Sequence, residues 1–359
     1  MISELEEPET LLRMPTSRRS YLPFRNSVHL TRTEASDLMR QILSGNMSGE
    51  EVADVLVFLR DKGETVAEIV GFAEAMRDLS LPIHVEQSES PLIDTCGTGG
   101  DGADTFNIST AAAFVVAGAG TRVAKHGNRK ISSRCGSCDV LEQLGVRVDL
   151  SPDQVARCVQ DVGIGFLYAP SFHPSMKNAR EARAQLKGRT AFNLLGPLTN
   201  PVRARFQLIG AFSVRAAELL ANASARLGIE RALVVHGGDG LDEITTTTYT
   251  TIYQVEEGKV KKGRWFPSDF GLEPSAPEDL KGGDAETNAA IIRSVLEGEK
   301  GPARDVVVAN AAAALIAGQR ASELKAAVAI AAESIDSGGA RRKLDELIQF
   351  TANPNDEAI

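Results

Sequence analysis

Leu92-Ile-Asp-Thr-Cys-Gly-Thr-Gly-Gly-Asp101, with Asn107-Ile-Ser-Thr110 a few residues on, sets the class of this fold. Leu92-Ile-Asp94 reads as a short strand and the glycines as a tight turn. Asn107-Ile-Ser-Thr110 leads into an alanine-rich helix ending near Gly118. Arg122-Val-Ala124 is then a second strand, so the unit runs strand, glycine turn, helix, strand. Working outward, a short helix from Val140 to Leu144 and a helical stretch from Gln154 to Asp161 precede a buried strand from Ile164 to Tyr168. Phe206 to Phe212 and Ala232 to Val235 add two strands around a helix from Val214 to Leu227. Such alternation predicts an α/β fold with a mostly parallel central sheet flanked by helices. Thr247 to Val260, with its Glu257-Gly258 turn, reads instead as an antiparallel ribbon, and the chain is helical from Ala285 onward.

Upstream, the apolar period becomes that of helices. Thr33-Glu-Ala-Ser36 opens one helix through Leu43, Ser48-Gly-Glu-Glu51 opens a second as a capping box, and Thr65 opens a third that Pro82 stops. His173-Pro-Ser-Met-Lys177 begins a helical stretch carrying Arg180 and Arg183, and Thr190 to Gly196 forms another. Both are assigned to the same helical lobe. The expected division is a flexible tail at residues 1–27, a smaller discontinuous all-helical domain at 28–90 plus 172–202, and a large α/β domain at 91–171 plus 203–350.

At 359 residues with 43% hydrophobic content, the chain has material for a large core split into more than one domain. Its formal net charge of −9 argues against a general nucleic-acid surface. Met1-Ile-Ser-Glu-Leu-Glu-Glu-Pro8 has neither the basic start nor the apolar centre of a signal peptide. No run approaches the ~18 apolar residues of a membrane helix. The expectation is a cytoplasmic protein with neither nucleic acid nor membrane as a partner. Cysteines stand at 96, 135, 138 and 158. Cys135-Gly-Ser-Cys138 has a zinc-like spacing but no second half-site, so two small side chains packed in a tight loop is the preferred reading.

Three loops carry candidate chemistry. Gly97-Thr-Gly-Gly-Asp101 allows close backbone approach and an N–H nest for an anion, with Ser109 and Thr110 at the positive end of the next helix. It fits neither the phosphate loop with its G-K-[ST] ending nor the G-x-G-x-x-G dinucleotide pattern. Lys125-His-Gly-Asn-Arg129, placed directly after a strand ending at Ala124, brings a point charge and the amide of Asn128 to the same sheet edge. Ser132-Ser133 and Gly136-Ser137 continue a small polar lining. Asp242-Glu243, beyond the strand ending at Val235, is a pair of hard oxygen donors suited to Mg²⁺ riding on substrate phosphates. Without the other loops, a solvated acidic turn is the preferred reading of the pair.

Taken together and in order, these stretches resemble the anthranilate phosphoribosyltransferases, within the nucleoside-phosphorylase-like transferases. Ile42-Leu-Ser-Gly45, Lys62-Gly-Glu-Thr65, His173 to Lys177, Arg189 to Pro201 and Gly240-Leu-Asp-Glu-Ile244 extend the likeness, which spans roughly residues 30 to 345. The resemblance implies transfer of the phosphoribosyl group of 5-phosphoribosyl 1-diphosphate to the amine of anthranilate, releasing diphosphate, in tryptophan biosynthesis. It implies two Mg²⁺ per active site and a homodimer through the helical domain. Gly97, Gly100, Asp101, Thr105, Asn107, Ile108, Ser109, Thr110, Lys125, His126, Gly127, Asn128, Ser132, Ser133 and Ser137 would bind the sugar diphosphate. Gly97, Asn128 and Arg183 would bind anthranilate, with Arg183 answering its carboxylate. Ser109, Asp242 and Glu243 would hold the metal.

No general acid or base is implied, and Lys125 would act electrostatically. Diphosphate leaves well once neutralised and the aromatic amine is already neutral, so positioning and electrostatics carry the reaction. Cys135 and Cys138 depart from the Ser or Ala usual in the family, and oxidation of the pair would distort the diphosphate loop. The pyrimidine nucleoside phosphorylases share the architecture but carry Lys-His-Ser-Thr-Gly where this chain has Lys-His-Gly-Asn-Arg, and they need no Asp-Glu metal pair. A non-catalytic relative that binds nucleic acid conflicts with the acidic balance.

Overall fold

The computed structural model describes residues 29–86, 88, 90–130, 134–186 and 188–354. They form two compact units, residues up to 79 with 175–192, and residues 80–174 with 193 onward. The proposed tail at 1–27 lies outside the described residues.

The first unit is helical. Helices α1 (Arg32–Leu43), α2 (Gly49–Lys62) and α3 (Val66–Asp78) each begin at a capping box, formed by Thr31 with Glu34, Ser48 with Glu51, and Thr65 with Glu68. Each box satisfies two backbone donors that a helix start otherwise leaves open, which fixes where the helix begins. The first helix thus starts one residue before the Thr33 read from sequence, because Thr31 is the cap. Glu68 does more than cap. Fully buried, it also accepts from the Leu30 N–H at 2.8 Å and from Lys62 Nζ at 2.7 Å, fastening the chain entry and the end of α2 to α3. The short helix Arg180–Gln185 packs on α2, and Asn178 donates to the Leu43 carbonyl at 2.7 Å.

The second unit is built on one seven-stranded sheet. Its strands are β1 (Leu92–Gly97), β2 (Arg122–Gly127), β3 (Ile164–Tyr168), β4 (Phe206–Gly210), β5 (Arg231–Gly237), β6 (Thr250–Glu256) and β7 (Lys259–Trp265). The spatial order is β3-β2-β1-β4-β5-β6-β7. The first five are parallel, and the β6–β7 ribbon continues the same sheet antiparallel from β5. Strand order reverses between β1 and β4, and the carboxyl ends of the strands at such a switch point are where open α/β sheets place ligands.

Helices α4 (Ile108–Gly118), α5 (Ser137–Leu144), α6 (Val214–Arg226), α7 (Ala285–Leu296), α8 (Pro302–Ala317), α9 (Leu324–Asp336) and α10 (Gly339–Ala352) cover it. The alanine-rich α4 and α8 are buried almost throughout and pack on each other, where small side chains allow a close approach. Among the described residues, no helix is long and apolar enough to cross a membrane.

Other boundaries also differ from the sequence reading. β2 does not stop at Ala124: Lys125, His126 and Gly127 remain in the strand, opposite Phe166, Leu167 and Tyr168 of β3. A charged residue followed by His-Gly looks like a loop, but Lys125 is buried with its ammonium satisfied inside the protein. Likewise the helix read from Gln154 to Asp161 is an α-helix over Pro152–Arg157 that widens into a π-turn over Cys158–Val162.

Candidate active site

At the switch point Gly97 of β1 pairs directly with Gly210 of β4. Asp242 lies over this pair. A Cβ at Gly97 would stand 2.6 Å from Asp242 Oδ2 and would displace that side chain, and one at Gly210 would overlap the Asp242 backbone, so Gly210 requires glycine. Beyond β1, Gly99 and Gly100 take φ values of +64° and +73°, the left-handed conformation that turns their N–H groups toward one side.

The Gly99 N–H donates to Asp242 Oδ2 at 2.7 Å, and the Asp242 N–H lies 3.4 Å from Asp101 Oδ2. Glu243 reaches the other anion-receptive feature, accepting from the Ser109 N–H in the first turn of α4 at 3.1 Å. Lys125 Nζ donates to the Thr95 carbonyl and to Ser109 Oγ, the latter at 3.2 Å. Asp101, Ser109, Lys125, Asp242 and Glu243, scattered over the sequence, thus converge on the carboxyl edge of β1, β2 and β4.

Asp242 and Glu243 are held from below. Asn310, fully buried on α8, accepts from the Ile244 N–H at 2.9 Å and donates to the Ile244 carbonyl at 2.8 Å. On the near side, Asp239 accepts from Thr245 Oγ1 at 2.6 Å. Burial, then the charge of Asp101, raises the Asp242 carboxyl above the usual carboxylate range. Burial, then Asp242, raises Glu243 against the pull of Lys125. Crowded carboxylates of this kind are stabilised by a divalent cation. Among the described residues, no group of three or more His, Cys, Asp or Glu side chains is arranged to hold a metal. Two carboxylates and the Ser109 hydroxyl nevertheless suit Mg²⁺, whose remaining positions are taken by water and substrate phosphate.

Other expected residues sit nearby. The Asn128 N–H donates to Ser137 Oγ at 3.2 Å, and Gly127 has no room for a Cβ beside that hydroxyl. Thr110 is buried, and its hydroxyl has no hydrogen-bond partner among the described residues. Thr105 forms an isolated bridge with Lys281. Ser132 and Ser133 lie outside the described residues.

Arg183 belongs to the helical unit. Its guanidinium stacks over Phe192 at 5.1 Å, and among the described residues no carboxylate pairs with it. Burial lowers its pKa from the usual arginine value, the condition of a cation short of a counter-ion.

His126 is buried against His173, the ring centroids 5.3 Å apart. Its Nδ1 lies 3.2 Å from the Gly196 carbonyl. Burial, reinforced by the neighbouring ring, lowers His126 to about 3, and burial lowers His173 to about 4, so both are neutral near pH 7. Cys135 and Cys138 are buried thiols, pushed up by that burial to about 11 and about 12. Neither has the exposed, electropositive setting of a reactive thiolate.

Sequence reasoning missed several supports. Asp94 is fully buried and accepts from the His126 N–H at 3.1 Å and from Asn200 Nδ2 at 2.8 Å, tying β1, β2 and the 200 turn together. Gly210 ends a strand with no local cue that another backbone crosses it. Asn310 and Asn288 are polar residues in apolar helices, and that alone was the available signal.

The helical-bundle domain of a glycosyl transferase family matches residues 24–80, and the a/b domain of that family matches residues 89–341. An anthranilate phosphoribosyltransferase of Solibacter usitatus is 53% identical over 90% of this chain and 96% of its own. The crystal structure of the anthranilate phosphoribosyltransferase of Thermus thermophilus superimposes with a TM-score of 0.85 at 42% identity, covering 90% of this chain and 96% of that one. The Saccharomyces cerevisiae enzyme of the same name, in complex with PRPP and Mg, gives a TM-score of 0.85 at 28% identity over 96% of this chain and 99% of its own.

Proposed function

The chain belongs to the glycosyl transferase family and, within it, to the anthranilate phosphoribosyltransferases; from that membership we propose that it performs the reaction for which these relatives are named. It transfers the phosphoribosyl group of 5-phosphoribosyl 1-diphosphate to the amine of anthranilate, releases diphosphate, and serves tryptophan biosynthesis. The observation that carries this reading is the meeting of a left-handed glycine turn, the start of α4 and the Asp242–Glu243 pair at the switch point of the sheet.

The sugar diphosphate is held by Gly97, Gly100 and Asp101, by Thr105 and residues 107–110, and by residues 125–128, with Ser132, Ser133 and Ser137. Backbone N–H groups of the glycine turn and of the first turn of α4 receive its oxygens. Lys125 is fixed beneath them by Thr95 and Ser109, and acts as a stationary positive charge at the developing anion. Anthranilate meets Gly97, Asn128 and Arg183, the guanidinium answering its carboxylate. Ser109, Asp242 and Glu243 hold magnesium, two ions per site. When bound, magnesium neutralises diphosphate and so makes it a better leaving group. His126 and His173, neutral near pH 7, add no charge beside an incoming neutral amine. A homodimer through the helical unit and a cytoplasmic location complete the proposal.

Arg183 gives a direct test of the acceptor. Arg183→Ala removes a charge-assisted contact of about 1.5–3 kcal/mol, so the KM for anthranilate should rise by roughly ten- to a hundredfold. The KM for phosphoribosyl diphosphate should stay within about twofold, the scatter of a residue that does not contact it. An unchanged anthranilate KM contradicts the assignment.

A further inference from the structure

Asn288, near the start of α7, is 1% exposed and has no part in the roles given above. Both ends of its amide are engaged: Nδ2 donates to Asn107 Oδ1 at 2.9 Å and Oδ1 accepts from the Gly283 N–H at 2.7 Å. Asn107 Nδ2 in turn points to the Cys135 carbonyl at 3.3 Å. This chain of bonds ties the start of α4, the loop before α5 and the turn into α7. That last turn lies close against the first: the Gly282 N–H donates to the Asp104 carbonyl at 2.9 Å, and a Cβ at Gly282 would stand 2.6 Å from Phe106 Cα.

The consequence appears at the helix start. Asn107 is the N-cap residue of α4, and asparagine there ordinarily accepts from an N–H of the first turn. Here it makes no such bond. Its amide is held sideways by Asn288 and Cys135. In the first turn the Ile108 N–H donates to the Phe106 carbonyl and the Thr110 N–H to the Asn107 carbonyl, which leaves the Ser109 N–H, taken by Glu243.

We propose that Asn288 is a positioning residue for phosphoribosyl diphosphate: it holds Asn107 off the cap, so that the Ser109 N–H is left to Glu243 or, in its place, to the substrate's oxygens. Without its donor, Asn107 Oδ1 turns to the Ser109 N–H of its own helix and competes with the substrate for it. The inference rests on the reading above that places Asn107 and Ser109 in the diphosphate site.

The test is a double-substitution cycle of Asn288→Ala and Asn107→Ala, followed by KM for both substrates, kcat and thermal midpoint. Asn288→Ala should raise the KM for phosphoribosyl diphosphate about tenfold, the scale of one buried hydrogen bond, and leave that for anthranilate within about twofold. Because Asn288 acts through Asn107, the double variant should bind no worse than Asn107→Ala alone. An unchanged phosphoribosyl diphosphate KM in Asn288→Ala, or effects that multiply in the double variant, overturns the proposal. So does a loss confined to thermal midpoint and kcat, the signature of a structural role. If Asn107→Ala itself leaves that KM unchanged, the placement of Asn107 fails, and the proposal with it. Should Asn288→Ala not fold, Asn288→Asp keeps the size and the acceptor for Gly283 but sets an oxygen against Asn107, and the same criteria apply. Failure of both to fold makes Asn288 structural and overturns it.

Discussion

Asp242 and Glu243 accept from the Gly99 and Ser109 N–H groups, donors that the proposed diphosphate site would also use. Burial, then crowding against acidic neighbours, outweighs the N–H that each carboxylate gains, and both pKa values are raised. On that proposal substrate oxygens would compete with carboxylates, and a divalent cation would tip the contest by giving those carboxylates a better partner. Asp242→Asn with Glu243→Gln should raise the magnesium concentration for half-maximal rate by about tenfold or more, the cost of losing charged ligands. A magnesium titration superimposable on that of the unaltered protein would make the pair a solvated turn. The types and order of these residues were legible in sequence, since hard oxygen donors and a glycine turn announce phosphate chemistry without a structure. Their hydrogen-bond partners were not. Lys125 was read as a point charge on a loop after the strand, whereas it lies within β2, buried, with its ammonium bound to Thr95 and Ser109.

β1 and β4 make the platform, and their last residues decide how closely the 242 loop can settle. Gly210 is the more demanding of the two, because an added Cβ would meet the Asp242 main chain, which cannot swing aside as a side chain can. Gly210→Ala should lift the loop, lower kcat/KM for phosphoribosyl diphosphate by roughly tenfold or more, and leave the far-ultraviolet circular dichroism of the sheet and helices unchanged. Full activity in that variant would mean the loop is not held where it is seen. Helix starts were the most legible elements, because Ser48 with Glu51 and Thr65 with Glu68 carry their signal within four residues. The end of β2 was not, because what allows a lysine inside a strand is a carbonyl and a hydroxyl distant in sequence. The sheet order was illegible for the same reason: alternation predicts parallel strands but not which of them adjoin.

Across the whole molecule, one unit is an all-helical lobe and the other a seven-stranded sheet with helices around it. The α/β class and its helical partner were both legible from periodicity, whereas the joining of the β6–β7 ribbon to the main sheet was not. The formal charge of −9 makes a basic polyanion-binding surface a poor general description. The site instead draws on one buried lysine and oriented N–H groups. That arrangement fits a small phosphorylated sugar, and family membership selects the acceptor. The central claim is tested by following the fluorescence of anthranilate with the full-length protein. Loss of signal should require phosphoribosyl diphosphate and Mg²⁺ together and should be matched by release of diphosphate. Unchanged anthranilate fluorescence in the complete mixture, with phosphorolysis of thymidine or uridine in its place, would contradict the account.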